Sequence, residues 1–210
     1  MKKKLLAIFA VIIIAILLPT GYLFMLRHHA SFTTNDYTLE MDSVIRSLKV
    51  NGQEICKQYQ LFQCEEDYQL NWKLETPIVI SQFWSGNVFT VFTYSQLYTY
   101  DCYKTFIFEK GSSSFTVEIT KAYKLDAFSD NNQIIADIYN KGHKTTNDTV
   151  IFEPYLTIQV LRSNPPITIQ SFNPGETEEQ FNFNGYADRD ISYHHAGDKE
   201  TVLFNVTVAP

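Results

Sequence analysis

Two groups of residues in this 210-residue chain have types and spacings that could do chemistry. The first is Asp188-Arg189-Asp190-Ile191-Ser192-Tyr193-His194-His195, followed by Gly197-Asp198, with two histidines and three carboxylates in eleven residues. Imidazole and carboxylate together suit a divalent metal. Adjacent residues on a strand point to opposite faces, however, so His194 and His195 could ligate together only from a loop. The simpler reading is a solvated polar connection before a strongly patterned last strand, and no metal site is assigned.

The second group is Cys56, Cys64 and Cys102. In an oxidising compartment, three cysteines imply one disulfide and one leftover thiol. Locality favours Cys56–Cys64, a pair whose short loop contributes roughly 2–3 kcal/mol in the chain-entropy model. A helix across 53–64 would hold positions eight apart at about 12 Å, too far to bridge. Cys102 is then a reduced thiol, acting as a small buried apolar residue. The competing outcome links Cys102 to one of the other two and ties the N-terminal segment to a sheet. The chain contains no Cys-x-x-Cys pair, which argues against a thioredoxin-type centre or a zinc ribbon.

The remaining candidates are weaker. There is no Gly-x-Ser-x-Gly, His-Glu-x-x-His or Gly-rich phosphate loop. Glu65-Glu66-Asp67 reads as a solvated face, since a calcium loop needs ligands at spaced positions. His28-His29 marks a return to water, and His143 sits in a turn. Asn147-Asp148-Thr149 and Asn205-Val206-Thr207 match the glycosylation acceptor pattern, which matters only in a eukaryotic secretory route. The sequence therefore assigns no catalytic residue and no cofactor. An aromatic cluster, Trp84, Phe92, Tyr94, Tyr98, Tyr100 and Tyr103, can be read as strand packing or as an exposed binding surface.

The elements that must position these residues begin with a membrane segment. Met1 and Lys2 to Lys4 precede 22 uncharged residues, Leu5 to Leu26. As a helix they reach roughly 33 Å, enough to cross a hydrocarbon core of about 30 Å. Tyr22-Leu23-Phe24-Met25-Leu26 is bulky where a signal cleavage site is small, and this favours an uncleaved anchor over a removed signal peptide. Lys2 to Lys4 outweigh Arg27, which places the N-terminus in the cytoplasm and the rest outside, as in a bacterial periplasm.

Residues 31–210 form the expected extracytoplasmic domain, with 1–30 as anchor. Four of the 17 Lys+Arg fall in the anchor, leaving 13 against all 23 Asp+Glu, a net charge of −10. That balance excludes nucleic acid and a basic hold on anionic lipid. After residue 30 the chain carries 14 Phe, 12 Tyr and 2 Trp. So many aromatic and β-branched residues favour a pleated, half-buried surface.

Residues 36–50 read as a helix, because Tyr37, Met41, Val44, Ile45 and Leu48 recur at i, i+4, i+7, i+8 and i+11. A hairpin turning at Asn51-Gly52 is the alternative, and 53–70 is ambiguous. From residue 76 the period becomes two. Strands are expected at 88–94, 103–109, 115–121, 134–139 and 156–160, then around Ile167 and Ile169, around Phe181 and Phe183, and at 201–208. The fold class is mainly β: an antiparallel sandwich or barrel with one or two short N-terminal helices after a single transmembrane helix. The function expected is a non-enzymatic binding or assembly module, held by the membrane through its N-terminal helix and engaging a protein partner. An exported enzyme, with a hydrolase as its reaction class, is the alternative.

Overall fold

The computed structural model describes residues 29–41, 44–55, 61–68, 71–74, 78–129, 134–138, 142–145, 148–153, 156–164, 166, 168–172, 179–184 and 192–208. Within them are nineteen strands and no helix. The first four are β1 (Ala30–Thr33), β2 (Tyr37–Met41), β3 (Ile45–Val50) and β4 (Gln53–Glu54). A middle group follows: β5 (Gln63–Tyr68), β6 (Asn71–Leu74), β7 (Ile78–Ser85), β8 (Val88–Gln96), β9 (Tyr100–Glu109) and β10 (Ser114–Tyr123). Next come β11 (Ala127–Ser129), β12 (Ile134–Ile138), β13 (Gly142–Thr145), β14 (Thr149–Glu153) and β15 (Leu156–Asn164). The last are β16 (Thr168–Phe172), β17 (Glu179–Asn184), β18 (Ser192–His194) and β19 (Lys199–Val208).

Antiparallel pairing joins β1 to β4 in sequence order, and a central eight-stranded sheet runs β13-β14-β15-β19-β10-β9-β8-β7. A five-stranded sheet, β16-β17-β12-β5-β6, and the pair β11-β18 complete the set. The chain is thus mainly β, in an arrangement consistent with a β-sandwich. The core lies on one face of the eight-stranded sheet. Strict alternation puts Phe106 and Phe108 of β9, Phe115, Val117 and Ile119 of β10, and Val202, Phe204 and Val206 of β19 on that face, all buried. Burying one such side chain contributes roughly 1.5–3 kcal/mol. The β1–β4 sheet covers one end of this face: Phe32 stacks on Phe108 at 5.0 Å and Tyr37 tilts against Phe115 at 5.9 Å. Phe62, just before β5, reaches Phe204 at 5.2 Å.

The helix expected over 36–50 is corrected. Residues 37–41 and 45–50 are two strands paired with each other. Their register shifts where Glu40 faces Ser47 and Met41 faces Ile45, leaving Arg46 as the extra residue of a bulge. The bulge puts Ile45 and Leu48 on the same buried side three residues apart, imitating helical spacing. The Asn51-Gly52 hairpin is the form adopted. The transmembrane helix concerns residues 1–28, which lie outside the described residues; among those described, no helix is long and apolar enough to cross a membrane.

Asn51 and Gly52 both take positive φ, 52° and 80°, as a two-residue type I′ turn requires. No heavy atom lies within 4 Å of where a Cβ on Gly52 would stand, so the demand there is conformational. Gly52→Ala is expected to lower stability by about 1 kcal/mol, read as a shift in urea midpoint. Asn51→Gly should stay within about 0.5 kcal/mol; equal losses at both positions would argue against this turn.

Candidate functional site

The aromatic cluster divides between the two faces of the eight-stranded sheet. Tyr100 is fully buried on the inner face, with its ring 5.7 Å from Tyr123. Phe92, Tyr94 and Tyr103 alternate onto the outer face, where Tyr94 and Tyr103 are cross-strand partners with rings 5.2 Å apart. Phe83 of β7 stacks on Phe92 at 6.0 Å. Ile78, paired with Tyr94, and Ile107 extend the same face. Phe83, Tyr103 and Ile107 are 46%, 44% and 38% exposed, which is unusual for contiguous large apolar side chains. Tyr98 is exposed in the β8–β9 connection. Trp84 is also exposed but stacks inward on Phe89 at 4.9 Å.

The polar edge of this patch is organised. The Tyr94 hydroxyl donates to Asp101 Oδ1 at 3.2 Å, and Lys124 Nζ lies 3.1 Å from the same oxygen. Desolvation, then the Asp101 carboxylate, holds the Tyr94 phenol above its usual pKa. Tyr94 is therefore a neutral donor already engaged, and its ring is the part left to meet a ligand. Among the described strands β7 ends the sheet, so the patch borders a sheet edge.

On the inner face, the alternation that places phenylalanines in the core also buries charge. Successive cross-strand partners are Ser95, Cys102, Lys121 and Glu200, and beside them Thr93, Lys104 and Ile119. Lys121 Nζ lies 3.4 Å from Glu200 Oε2 and 5.4 Å above the Tyr100 ring. The Tyr123 hydroxyl donates to Glu200 Oε2 at 3.2 Å. His194 stacks on Tyr123 at 4.0 Å, and burial holds its imidazole below the usual pKa. Cys64 of β5 comes down on this row with its Sγ 3.5 Å from Cys102 Sγ. The bond from Cys102, against the opposing effect of burial and with help from Lys104 and Lys121, brings the Cys64 thiol down to about 6. Burial, and the proton shared with Cys64, push Cys102 up.

Chemically this row has two thiols, two amines and a carboxylate, but Cys64, Cys102, Lys104 and Lys121 are at most 2% exposed. Among the described residues these side chains are closed off from solvent, and so from a substrate. The outer aromatic face is therefore the better candidate for contact with a ligand.

The other sequence candidates are dispersed. Asp188 and Asp190 lie outside the described residues. His194, the last residue of β18, is buried, and His195, just past the strand, is exposed. The backbone N–H of His195 donates to Asp198 Oδ2 at 2.7 Å, and its Nδ1 is 3.8 Å from Asp126 Oδ2. No group of three metal-type ligands occurs among the described residues. Glu65-Glu66-Asp67 pairs with β6. Asn147 and Cys56 lie outside the described residues, and with Cys56 lies the expected Cys56–Cys64 link. Asn205 Nδ2 donates to Thr207 Oγ1 at 3.3 Å. Sequence reasoning missed Lys104, Lys121 and Glu200, although each stands in the inward phase of an alternating strand. It also missed Ile78, Phe83 and Ile107, whose exposure depends on no described element lying over that part of the outer face.

No family model matches the chain, and no curated protein matches it. Solved structures do. A heparan sulfate lyase from Pedobacter heparinus superposes with a TM-score of 0.53 at 11% identity, over 82% of this chain and 33% of the lyase. An Escherichia coli K12 protein provisionally assigned as an aldose 1-epimerase superposes with a TM-score of 0.50 at 8% identity, over 86% of this chain and 98% of that one. This chain thus spans about a third of the lyase's length and nearly all of the second protein's. What it shares with both is a fold.

Proposed function

We propose that the chain is a membrane-anchored, extracytoplasmic and non-enzymatic binding module whose β7–β9 outer face takes a protein partner. The observation that carries this reading is one sheet face on which Ile78, Phe83, Tyr103 and Ile107 are exposed around the half-buried rings of Phe92 and Tyr94. Aromatic anchors set among aliphatic side chains suit the dry centre of a protein interface, where Tyr is a frequent hot spot. The apolar Leu5–Leu26 segment behind Lys2 to Lys4 supports the anchor and its orientation.

A second reading has one observation in its favour. The fold resembles proteins described as a heparan sulfate lyase and an aldose 1-epimerase, which suggests a carbohydrate ligand and an exported enzyme. Fold likeness alone does not carry an activity. Sugar recognition calls for polar groups around an aromatic platform; Ser81 and Thr105 flank Phe92, while the Tyr94 hydroxyl, Asp101 and Lys124 are already bonded to one another.

The test is in-cell photo-crosslinking from positions 83, 103 and 107, with position 205 on the same outer face as control. One protein species should be captured from the patch and not from 205. Tyr103→Ala should weaken that complex by about thirtyfold, a loss of about 2 kcal/mol. The full chain should remain with membranes through alkaline washing, and a reporter active only outside the cytoplasm should be active when fused after Pro210. A soluble chain shortened by about 20–30 residues would remove the anchor. Saturable glycan binding abolished by Tyr103→Ala would transfer the assignment to the second reading.

A further inference from the structure

We propose that Cys64 and Cys102 form a disulfide that staples β5 to β9 across the two layers of the fold. Their sulfurs already touch at 3.5 Å, and a disulfide forms at about 2.05 Å, so they need to close by about 1.5 Å. Separate ladders set this approach. Cys102 is held between Ser95 of β8 and Lys121 of β10. Cys64 is paired with Ile134 of β12, and Phe62 two residues earlier is seated on Phe204. The two cysteines are 38 residues apart in sequence and belong to different sheets. A cysteine serving only as a small apolar filler has no need of a second thiol in contact with it.

The chemistry balances with one external oxidant, a disulfide-bearing thiol oxidoreductase of the export compartment. The thiolate of one cysteine attacks a sulfur of that disulfide and expels one of its thiolates, leaving a mixed disulfide. As β5 closes on β9, the second cysteine gives its proton to water and attacks the first cysteine's sulfur, expelling the oxidant's other thiolate. Two thiol protons and two electrons leave the chain, one S–S bond forms, and the oxidant's disulfide becomes two thiols. Both cysteines are buried once the layers meet, so exchange precedes closure and the finished bond is shielded from reductant.

The inference rests on the extracytoplasmic reading only for its supply of oxidant. Full-length protein, solubilised in detergent after alkylation of free thiols in intact cells, is mapped without reduction. The expected result is a Cys64–Cys102 peptide pair, an alkylated Cys56, and the same pair in Cys56→Ser. Reduction should lower the melting temperature by roughly 8–16 °C, the scale for a loop of this length in a chain of this size. A link containing Cys56, no link when unalkylated protein is refolded with oxidised glutathione, or an unchanged melting temperature on reduction overturns the staple. Three cysteines all alkylated in cells, with the Cys64–Cys102 link forming when a parallel unalkylated sample is refolded with oxidised glutathione, would support the pairing and overturn the extracytoplasmic reading instead.

Discussion

Glu200→Gln is expected to lower the unfolding free energy by about 3–5 kcal/mol, because it strands a buried ammonium. Lys121 and Glu200 are cross-strand partners on β10 and β19, with side chains 2% and 8% exposed. Burial pushes the Lys121 ammonium towards neutrality, and the Glu200 carboxylate, aided by Tyr123 and the two cysteines, more than offsets it, so its pKa stands above the usual lysine value. The contribution linked to the lysine's proton is thus fully present below about pH 10.5 and is lost only as pH climbs beyond it, through the raised folded value. Glutamine keeps an acceptor for the Tyr123 hydroxyl but removes the charge. Adding Lys121→Met should recover most of the loss, since a buried ion pair is worth little against an apolar pair of similar volume. Urea midpoints of the parent, the single variant and the double variant measure both effects. A loss below about 1 kcal/mol for Glu200→Gln would mean that water reaches the pair.

The opposite sign is expected at Lys104, in the adjacent row and two residues from Cys102 on β9. Lys104→Met should stabilise the chain at pH 7 by about 1–3 kcal/mol. The Lys104 side chain is 1% exposed, with Thr93 and Ile119 as its cross-strand partners. Burial brings its pKa down from 10.5 to about 8, with Cys64 opposing the shift and Lys121 adding to it. At pH 7 the folded chain still carries this charge, and the displacement corresponds to about 3 kcal/mol against folding. The sign follows from proton binding. Between pH 8 and 10.5 the unfolded lysine keeps a proton that the folded one has released, so the parent gains stability as pH rises through that window. The variant has no such group, and its advantage should shrink towards zero by about pH 10.5. Denaturant titrations at pH 7, 9 and 10.5 follow the difference between the two chains, in which groups common to both cancel. A variant less stable than its parent at pH 7 would show that the ammonium is well solvated in place.

The part of this protein that its sequence determined by itself is the part governed by local geometry. In β9, β10 and β19 successive side chains point to opposite faces, so Phe106/Phe108, Val117/Ile119 and Val202/Phe204 announce strands and their dry sides directly. Asn51-Gly52 likewise specifies its turn, because few residues accept positive φ twice in succession. Where a bulge at Arg46 broke the alternation, the same local rule misread β2 and β3 as a helix. Tertiary structure alone decided which chemistry the strands bring together. The inward phase of β9, β10 and β19 is visible in sequence, but that Cys102, Lys121 and Glu200 stand side by side depends on the strand order β9-β10-β19. That Cys64 meets them depends on β5 crossing from another sheet. Equally, Tyr100 and Tyr103 are alike as residues and fall on opposite faces of one strand; which of them is buried follows from where the covering layer lies, a long-range choice that no local spacing encodes.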